Sequence, residues 1–117
     1  TDGVPAKLVK HEFTLSLAAM KVQKGIGAMD IAKGLLDRGY MAPTIYFPLV
    51  VEECMMIEPT ETESKEVLDE FAIRFVEVLG EDAEVLRAAP QTTDVRRVDE
   101  VYAARNLCLS YPFEEEQ

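Results

Sequence analysis

The segment from Thr60 to Gly80 constrains the fold of this chain more than any other. Thr60-Glu61-Thr62-Glu63 has the form of a capping box, in which the Thr60 hydroxyl accepts from the backbone of residue 63 and the Glu63 carboxylate returns to the cap residue. Gly80 lies at the position where a glycine commonly ends a helix. Apolar residues recur between them at the spacing of one helix face: Val67, Leu68, Phe71, Ala72, Phe75, Val76 and Leu79. The pattern predicts a long helix with one face in the core.

A strand and a shorter helix are predicted before it. His11 to Leu17 alternates in polarity, which is typical of a half-buried strand with Phe13, Leu15 and Leu17 on one face. Residues 30–38 predict a helix that ends before a glycine at position 39, although Gly34 weakens it. Its apolar residues at helical spacing are Ile31, Leu35 and Leu36.

Two short apolar runs predict a β-hairpin. Thr44 to Phe47 lies between Pro43 and Pro48, is too brief for a helix and is rich in β-formers. Cys54 to Ile57 is a second run of this kind. The two strands are expected to pair through the connection from Leu49 to Glu53.

The remaining pattern defines the fold class and the domain. Asp82 to Ala89 predicts a short helix ended by Pro90, and residues 90–117 an extended, mostly irregular tail. The order strand, helix, strand, strand, helix predicts an α+β fold, with a short sheet covered by helices on one face. Because 117 residues support one hydrophobic core, residues 1–117 are expected to form a single domain.

Charge and cysteine content exclude several classes of function. The 22 acidic and 12 basic residues give a formal net charge of -10, which repels nucleic acid and anionic membranes. Cys54 and Cys108 have no C-x-x-C spacing or companion histidines, so neither a zinc site nor a disulfide framework is indicated. No apolar run approaches the roughly 18 residues of a membrane span. A soluble protein with reduced thiols in the cytoplasm is expected.

The residues alone indicate no complete catalytic site. His11 is the one histidine, and the sequence contains no nucleophile elbow, phosphate-binding glycine loop or cluster of metal ligands. On this basis the chain could be an autonomous small α+β module that binds a metabolite or regulates another protein. A purely structural dimerisation domain is a further alternative.

Five connected segments resemble the C-terminal part of the decarboxylating glycine dehydrogenase family. The match runs from about Lys10 to Tyr111 in the family's order, and the Pro-Thr-Ile-Tyr-Phe-Pro version is similar to the second subunit of the split bacterial form. The segments are His11 to Ser16, Asp30 to Lys33 continuing through Arg38 to Tyr40, Ala42 to Leu49, Met56 to Glu63, and Ala89 to Glu100.

This resemblance implies a fold and a reaction. The fold would be the small C-terminal domain of fold-type-I (aspartate-aminotransferase-like) pyridoxal phosphate enzymes. The parent oxidoreductase of the glycine cleavage system decarboxylates glycine in glycine catabolism and passes the aminomethyl group to a lipoyl carrier protein, with pyridoxal phosphate storing the released electrons. The implied partners are the large pyridoxal phosphate domain of the same parent chain, subunit 1 of the enzyme and the carrier protein.

The same resemblance implies that the chain is inactive alone. In this family the lysine that binds the cofactor belongs to the large domain, and no segment here resembles its surroundings. We therefore expect no catalytic residue and no cofactor on this chain, which would supply walls of the active site instead. A first residue that is Thr1 rather than methionine agrees with a piece of a longer protein.

Glu58, Thr60 and Glu61 are candidates for an active-site wall or a substrate or carrier contact. They combine a strand end, a rigid proline and a helix N-terminus, where backbone donors favour an anion. A plain helix cap is the alternative and explains Thr60 and Glu63 without any site. Because a helix cap does not require both Glu58 and Glu61, these two residues remain candidates for a functional role.

His11, Arg96 and Arg97 complete the candidates. His11 opens a family-like segment and could touch the mouth of the active site, but an edge or hinge histidine bonded to Glu12 or solvent is the alternative. Arg96 and Arg97 could bind a carboxylate or the acidic carrier protein, or pair internally with Asp94, Asp99 or Glu100.

Tyr46, Phe47 and Met41 are not candidates for the site. Tyr46 and Phe47 are expected to pack in the core on their strand rather than touch substrate. Met41 stands where the family often has histidine, so a polar role does not carry over to that position.

Overall fold

The computed structural model describes residues 9–111, and within this range three strands and five helices follow one another. Their order is β1 (Phe13–Ser16), α1 (Ala18–Lys24), α2 (Ala28–Asp37), β2 (Thr44–Ile45), β3 (Cys54–Ile57), α3 (Lys65–Gly80), α4 (Ala83–Ala88) and α5 (Glu100–Arg105). The described part of the chain has no helix long and apolar enough to cross a membrane.

The three strands form an antiparallel sheet in the order β1-β3-β2. Met55 of β3 lies opposite Leu15 on one side and Ile45 on the other. Because side chains alternate along a strand, these three residues share the face that packs into the core, whereas Thr14 and Ser16 are exposed on the opposite face. The α+β class predicted from the sequence is confirmed.

Helix α2 packs against both α3 and α4, and Gly34 makes the close approach possible. A Cβ atom at Gly34 would lie 2.9 Å from a Val78 methyl carbon and 3.0 Å from a Leu86 methyl carbon. Gly34, which weakens the helix pattern in the sequence, therefore lies where α2 contacts α3 and α4. The buried cluster contains Leu17, Ile26, Ala28, Ile31, Ala32, Leu35, Met55, Ile57, Phe75, Val78 and Leu86.

Helix α3 exists as predicted, but neither end is formed as expected. Ser64 is the N-cap, and its hydroxyl accepts from the Val67 N–H at 3.3 Å. Thr60 lies in the preceding turn, where its carbonyl accepts from the Glu63 N–H at 3.1 Å. The capping box at Thr60 and Glu63 is thus wrong, because the chain makes one more turn before the helix begins. Gly80 is the last helical residue rather than a left-handed cap.

The inward face of α3 is narrower than the predicted stripe. Phe75 and Val78 are buried, and Phe71 and Leu79 pack at the edge of the core. Ala72, Val76 and Val67 are exposed, so the prediction that they face the core is wrong.

The hairpin between β2 and β3 departs from its prediction at Tyr46. This residue has a φ of 60°, in the left-handed region, which ends β2 after two residues. Tyr46 and Phe47 are consequently exposed, and the expectation that they pack in the core is wrong. The pairing of the two strands through the predicted connection is confirmed.

The sequence pattern does not predict two of the helices, α1 and α5. Helix α1 has no buried residue, and neither has α5, which lies within the predicted tail. Met20 of α1 is partly buried against the core cluster, but a single contact of this kind produces no apolar period. From Asp94 to Tyr111 every described residue is exposed.

Candidate functional site

A cleft of about 390 Å³ opens between the sheet and the first turns of α3. The end of β3 contributes Ile57 and Glu58, and α3 contributes Leu68 and Phe71. The segment between α2 and β2 closes a third side. We call this the α3 cleft; its remaining lining residues are Glu12, Tyr40, Met41, Ala42, Pro43, Thr44, Met56, Thr60, Glu63 and Val67.

Aromatic packing fixes the floor of the cleft. The rings of Tyr40 and Phe71 meet edge to face with centroids 5.4 Å apart. Phe71 in turn stacks on Phe75 at 5.9 Å, and Phe75 belongs to the buried cluster. The floor is therefore continuous with the core, and such contacts hold ring positions well.

The rim of the cleft is acidic. Glu12, Glu58 and Glu63 line it, and none of the described lining residues is a lysine, arginine or histidine. A cleft with an apolar floor and a carboxylate rim suits an apolar group that carries a positive charge or none, and it repels phosphate and carboxylate groups.

The structure brings together only part of the predicted site. Glu58 and Thr60 line the α3 cleft, whereas Glu61 and His11 are exposed next to lining residues in sequence. The His11 Nε2 atom lies 3.6 Å from a Glu12 carboxylate oxygen, which is beyond a hydrogen bond. Thr60 places its hydroxyl 3.1 Å from that of Thr62.

Arg97 lies apart from the cleft and is bound internally. Its Nε donates to the Ala89 carbonyl at 2.9 Å, and one terminal nitrogen donates to the Leu86 carbonyl at 3.0 Å. The same nitrogen is 2.9 Å from the Asp30 carboxylate. The internal ion pair considered for Arg97 is therefore present, with Asp30 in place of Asp94, Asp99 or Glu100. Arg96 is exposed and has no ion pair within residues 9–111.

The sequence interpretation misses two carboxylates that organise the N-terminus of α2. Asp30 is buried and accepts from the Gly27 N–H at 3.0 Å. Glu53 reaches from the hairpin and accepts from the Ala28 N–H at 2.7 Å. An acid in the first turn of a helix is a readable signal for Asp30, whereas nothing local in the sequence indicates Glu53.

Asp37 fastens the start of the tail to α2. Its Oδ1 atom accepts from the backbone N–H groups of Gln91 and Thr92, at 2.6 and 2.9 Å, and from the Thr92 hydroxyl. Burial works to raise the pKa of Asp37, but these hydrogen bonds outweigh it and the pKa is lowered from its ordinary value. No group of three or more metal-ligating side chains occurs among the described residues.

These features define a small α+β domain with an acid-rimmed cleft and no assembled catalytic group in its described part. The family profile described as "Glycine dehydrogenase, C-terminal domain" matches residues 4–100. The chain belongs to this family.

Curated relatives agree over nearly the whole chain. "Probable glycine dehydrogenase (decarboxylating) subunit 2" of Desulforamulus reducens is 58% identical over 104 residues, 86% of this chain and 22% of the relative. The protein of that name from Nitrosospira multiformis is 50% identical over 110 residues, 92% of this chain and 22% of the relative. The chain thus spans about a fifth of the length of these relatives.

Proposed function

We propose that this chain is the C-terminal domain of the second subunit of a glycine decarboxylase of the glycine cleavage system. The observation that carries the proposal is the family match over residues 4–100, together with relatives of that name at 50 to 58% identity. In the proposal residues 1–117 are one domain of a longer chain, with residues 90–117 as its tail. A cytoplasmic location belongs to the same proposal and is supported by the free thiols of Cys54 and Cys108.

We also propose that this chain has the fold of the small C-terminal domain of fold-type-I pyridoxal phosphate enzymes. The cofactor itself does not fit the α3 cleft, because its phosphate is an anion and the rim presents Glu12, Glu58 and Glu63 without a cationic partner among the described lining residues. The proposal therefore gives the cofactor and the reacting lysine to the remainder of the parent chain. This domain contributes binding surface and positions no reacting atom.

The α3 cleft is proposed as a wall for the substrate or for the lipoyl arm of the carrier protein. Its apolar floor suits a hydrocarbon arm, and its carboxylates disfavour other anions at the same place. Glu58 and Thr60 are the proposed wall residues because they line it. His11 and Glu61 are proposed as parts of the approach to the cleft.

Arg96 is the proposed contact for an acidic carrier protein. Its guanidinium is exposed and has no ion pair within residues 9–111, so it is available for a carboxylate on a partner. Arg97 is already engaged by Asp30, Leu86 and Ala89. The two neighbouring arginines thus have separable roles.

The test is reconstitution of the full-length second subunit with subunit 1, pyridoxal phosphate and the lipoyl carrier protein. We expect exchange of labelled bicarbonate into the carboxyl group of glycine by the complex and none by the 117-residue chain. A cofactor absorbance band on the 117-residue chain that borohydride removes would contradict the proposal. A natural polypeptide that consists of these residues alone would favour an autonomous metabolite-binding module instead, for which a cleft of about 390 Å³ is large enough.

A further inference from the structure

The α3 cleft combines an apolar interior with unpaired negative charge at its rim. Its volume of about 390 Å³ lies within the range of roughly 300 to 1,000 Å³ that is typical of small-molecule pockets. The interior side chains include Ile57 and Phe71. The exposed carboxylates of Glu58 and Glu63 line the rim and form no ion pair within residues 9–111. A ligand that fits both parts of the cleft has an apolar body and a cationic end.

Two aromatic rings in the floor of the cleft add to its attraction for a cation. Tyr40 and Phe71 both line the cleft, and their ring centroids lie 5.4 Å apart. The face of an aromatic ring attracts an ammonium group, because the ring quadrupole places negative charge there. Nearby carboxylates also favour the protonated form of an amine over the neutral form. Both features select an organic amine over an acid or a phosphate.

One participant in the proposed reaction has this combination of properties. Glycine has an ammonium group, but it has no apolar body, and the rim repels its carboxylate. Pyridoxal phosphate is an anion, and the lipoyl arm before the transfer is a hydrocarbon chain without charge. After the transfer the arm carries an aminomethyl group on one sulfur. The loaded arm is therefore a hydrocarbon chain that ends in a primary amine.

We propose that the α3 cleft binds the lipoyl arm in its aminomethyl-loaded state, with the hydrocarbon in the apolar interior and the ammonium group beside Glu58 and Glu63. The inference rests on the proposed function, because the loaded arm is the product of that reaction. Contact with the hydrocarbon is the same in both states of the arm. The carboxylates attract only the loaded state, so the enzyme holds loaded carrier protein more tightly than unloaded carrier protein.

The first experiment measures the binding of three probes to the assembled enzyme, which consists of the full-length second subunit and subunit 1, by titration calorimetry. Dimethyloctylammonium represents the loaded arm, octanol the unloaded arm, and octanoate an anion of the same length. The tertiary amine keeps one N–H donor but forms no imine with pyridoxal phosphate. We expect dimethyloctylammonium to bind about tenfold more tightly than octanol, and octanoate to bind more weakly than either.

Charge-neutral variants assign the preference to the rim. Glu58→Gln combined with Glu63→Gln should remove the advantage of dimethyloctylammonium and leave octanol binding unchanged, because glutamine keeps the size and polarity of the side chain without its charge. Glu12 is left in place, since the His11 ring lies 3.6 Å from its carboxylate. Glu66→Gln is the matched control, because Glu66 is an exposed glutamate three residues after Glu63 that does not line the cleft. It should leave all three affinities unchanged.

The second experiment uses the carrier protein itself. The assembled enzyme is titrated with loaded and with unloaded carrier in the absence of bicarbonate, so that no glycine forms. We expect the wild-type enzyme to bind the loaded carrier about tenfold more tightly. The enzyme with Glu58→Gln and Glu63→Gln should bind both states of the carrier equally. Damage to the cleft as a whole would instead weaken both states to the same extent and preserve the difference between them.

Several results would overturn the inference. Equal affinity of the wild-type enzyme for dimethyloctylammonium and octanol would mean that the cleft does not distinguish charge. A preference for the cation that survives in the enzyme with Glu58→Gln and Glu63→Gln would place the binding elsewhere. Binding of none of the three probes would mean that other parts of the enzyme fill the cleft.

Exchange of labelled bicarbonate into glycine tests the proposed function separately. An enzyme that catalyses the exchange and binds both states of the carrier equally would refute the present inference and keep the function. An enzyme that prefers dimethyloctylammonium through Glu58 and Glu63 but catalyses no exchange would refute the function and keep the cleft as a site for an organic ammonium.

Discussion

Arg97 and Asp30 form an ion pair at 2.9 Å that joins the tail after α4 to the first turn of α2. Asp30 is buried, and its second oxygen is occupied by the Gly27 N–H. The remaining hydrogen bonds of the guanidinium go to carbonyls at the end of α4. The Arg97 side chain thus binds three groups: a carboxylate on α2, a carbonyl within α4 and the carbonyl of the residue that caps α4.

Arg97→Ala should therefore destabilise the 117-residue chain. Removal of one partner leaves a buried carboxylate without its cation, and the expected loss is about 2 to 4 kcal/mol in urea titration. Arg96→Ala is the neighbouring control and should change stability by less than about 0.5 kcal/mol. If Arg97→Ala left the unfolding free energy unchanged while lowering use of the carrier protein, recognition would be its role after all.

Gly34→Ala should destabilise the chain although alanine favours a helix. The new methyl group would meet the stiff, fully buried side chain of Val78 at 2.9 Å, and overpacking of this kind costs about 1 to 3 kcal/mol against a propensity gain of about 1. Gly80→Ala is the matched control, because no atom lies within 4 Å of its added Cβ. A Gly34→Ala protein that melts higher than wild type would show that α2 and α3 can separate at little cost.

The sequence predicts the helices and strands that bury an apolar face in the core. It does not predict the helices that lack such a face. Helix α2 and strand β3 are visible because their apolar residues face the core with the periods of helix and strand. Helices α1 and α5 contain no fully buried residue, and α1 reaches the core through Met20, so no apolar period reveals them. The N-cap of α3 is also ambiguous in the sequence, because Thr60 and Ser64 both precede the apolar stripe of the helix. The turn between them decides that Ser64 is the cap.

The candidate site was harder to predict than the fold because its contacts are distant in sequence. Glu58 and Thr60 follow a strand end, and both line the α3 cleft. The pair formed by Asp30 and Arg97 depends on how α2 and α4 pack, and the left-handed φ at Tyr46 depends on the hairpin turn. Neither relationship leaves a period or a motif in the chain.

Phe75→Ala should cost more stability than Phe71→Ala. Phe75 is buried in the cluster, and its truncation is expected to cost about 3 to 5 kcal/mol. Phe71 is only partly buried and forms the cleft floor, so about 1 to 2 kcal/mol is expected because less surface returns to water. Guanidinium titration of both variants checks the order, and a larger loss for Phe71 would place the cleft floor deeper in the core.

Acid should weaken the attachment of the tail through Asp37. Because the folded-state pKa of Asp37 lies below its ordinary value of 3.8, its contribution to stability is fully present above that value and is lost as pH falls through the lowered pKa. Asp37→Asn keeps a carbonyl acceptor for Gln91 and Thr92 but cannot titrate. The difference in unfolding free energy between wild type and Asp37→Asn should therefore shrink below pH 3.8. A difference that is constant from neutral pH to strongly acidic conditions would assign the effect of the substitution to geometry alone.

Glu53 combines a helix cap with an unfavourable backbone, and a series at this position separates the two. Its carboxylate accepts from the N–H of the buried Ala28, while its own φ of 47° lies in the left-handed region. Glu53→Ala removes the cap and keeps the strain, so a loss of about 1 to 2 kcal/mol is expected. Glu53→Gly also removes the cap but relieves the strain, and it should be about 1 kcal/mol more stable than Glu53→Ala.

Glu53→Gln and Glu52→Ala are the controls for this series. Glutamine keeps an oxygen acceptor for the Ala28 N–H and loses the charge that lies 3.9 Å from Lys21, so its stability should fall between wild type and Glu53→Ala. Glu52 is exposed, and its alanine variant should differ from wild type by less than about 0.5 kcal/mol. Urea titration of the four variants gives the order. If Glu53→Ala and Glu52→Ala were equally stable, the bond from the hairpin to α2 would contribute nothing, and α2 would depend on Asp30 alone for its N-terminus.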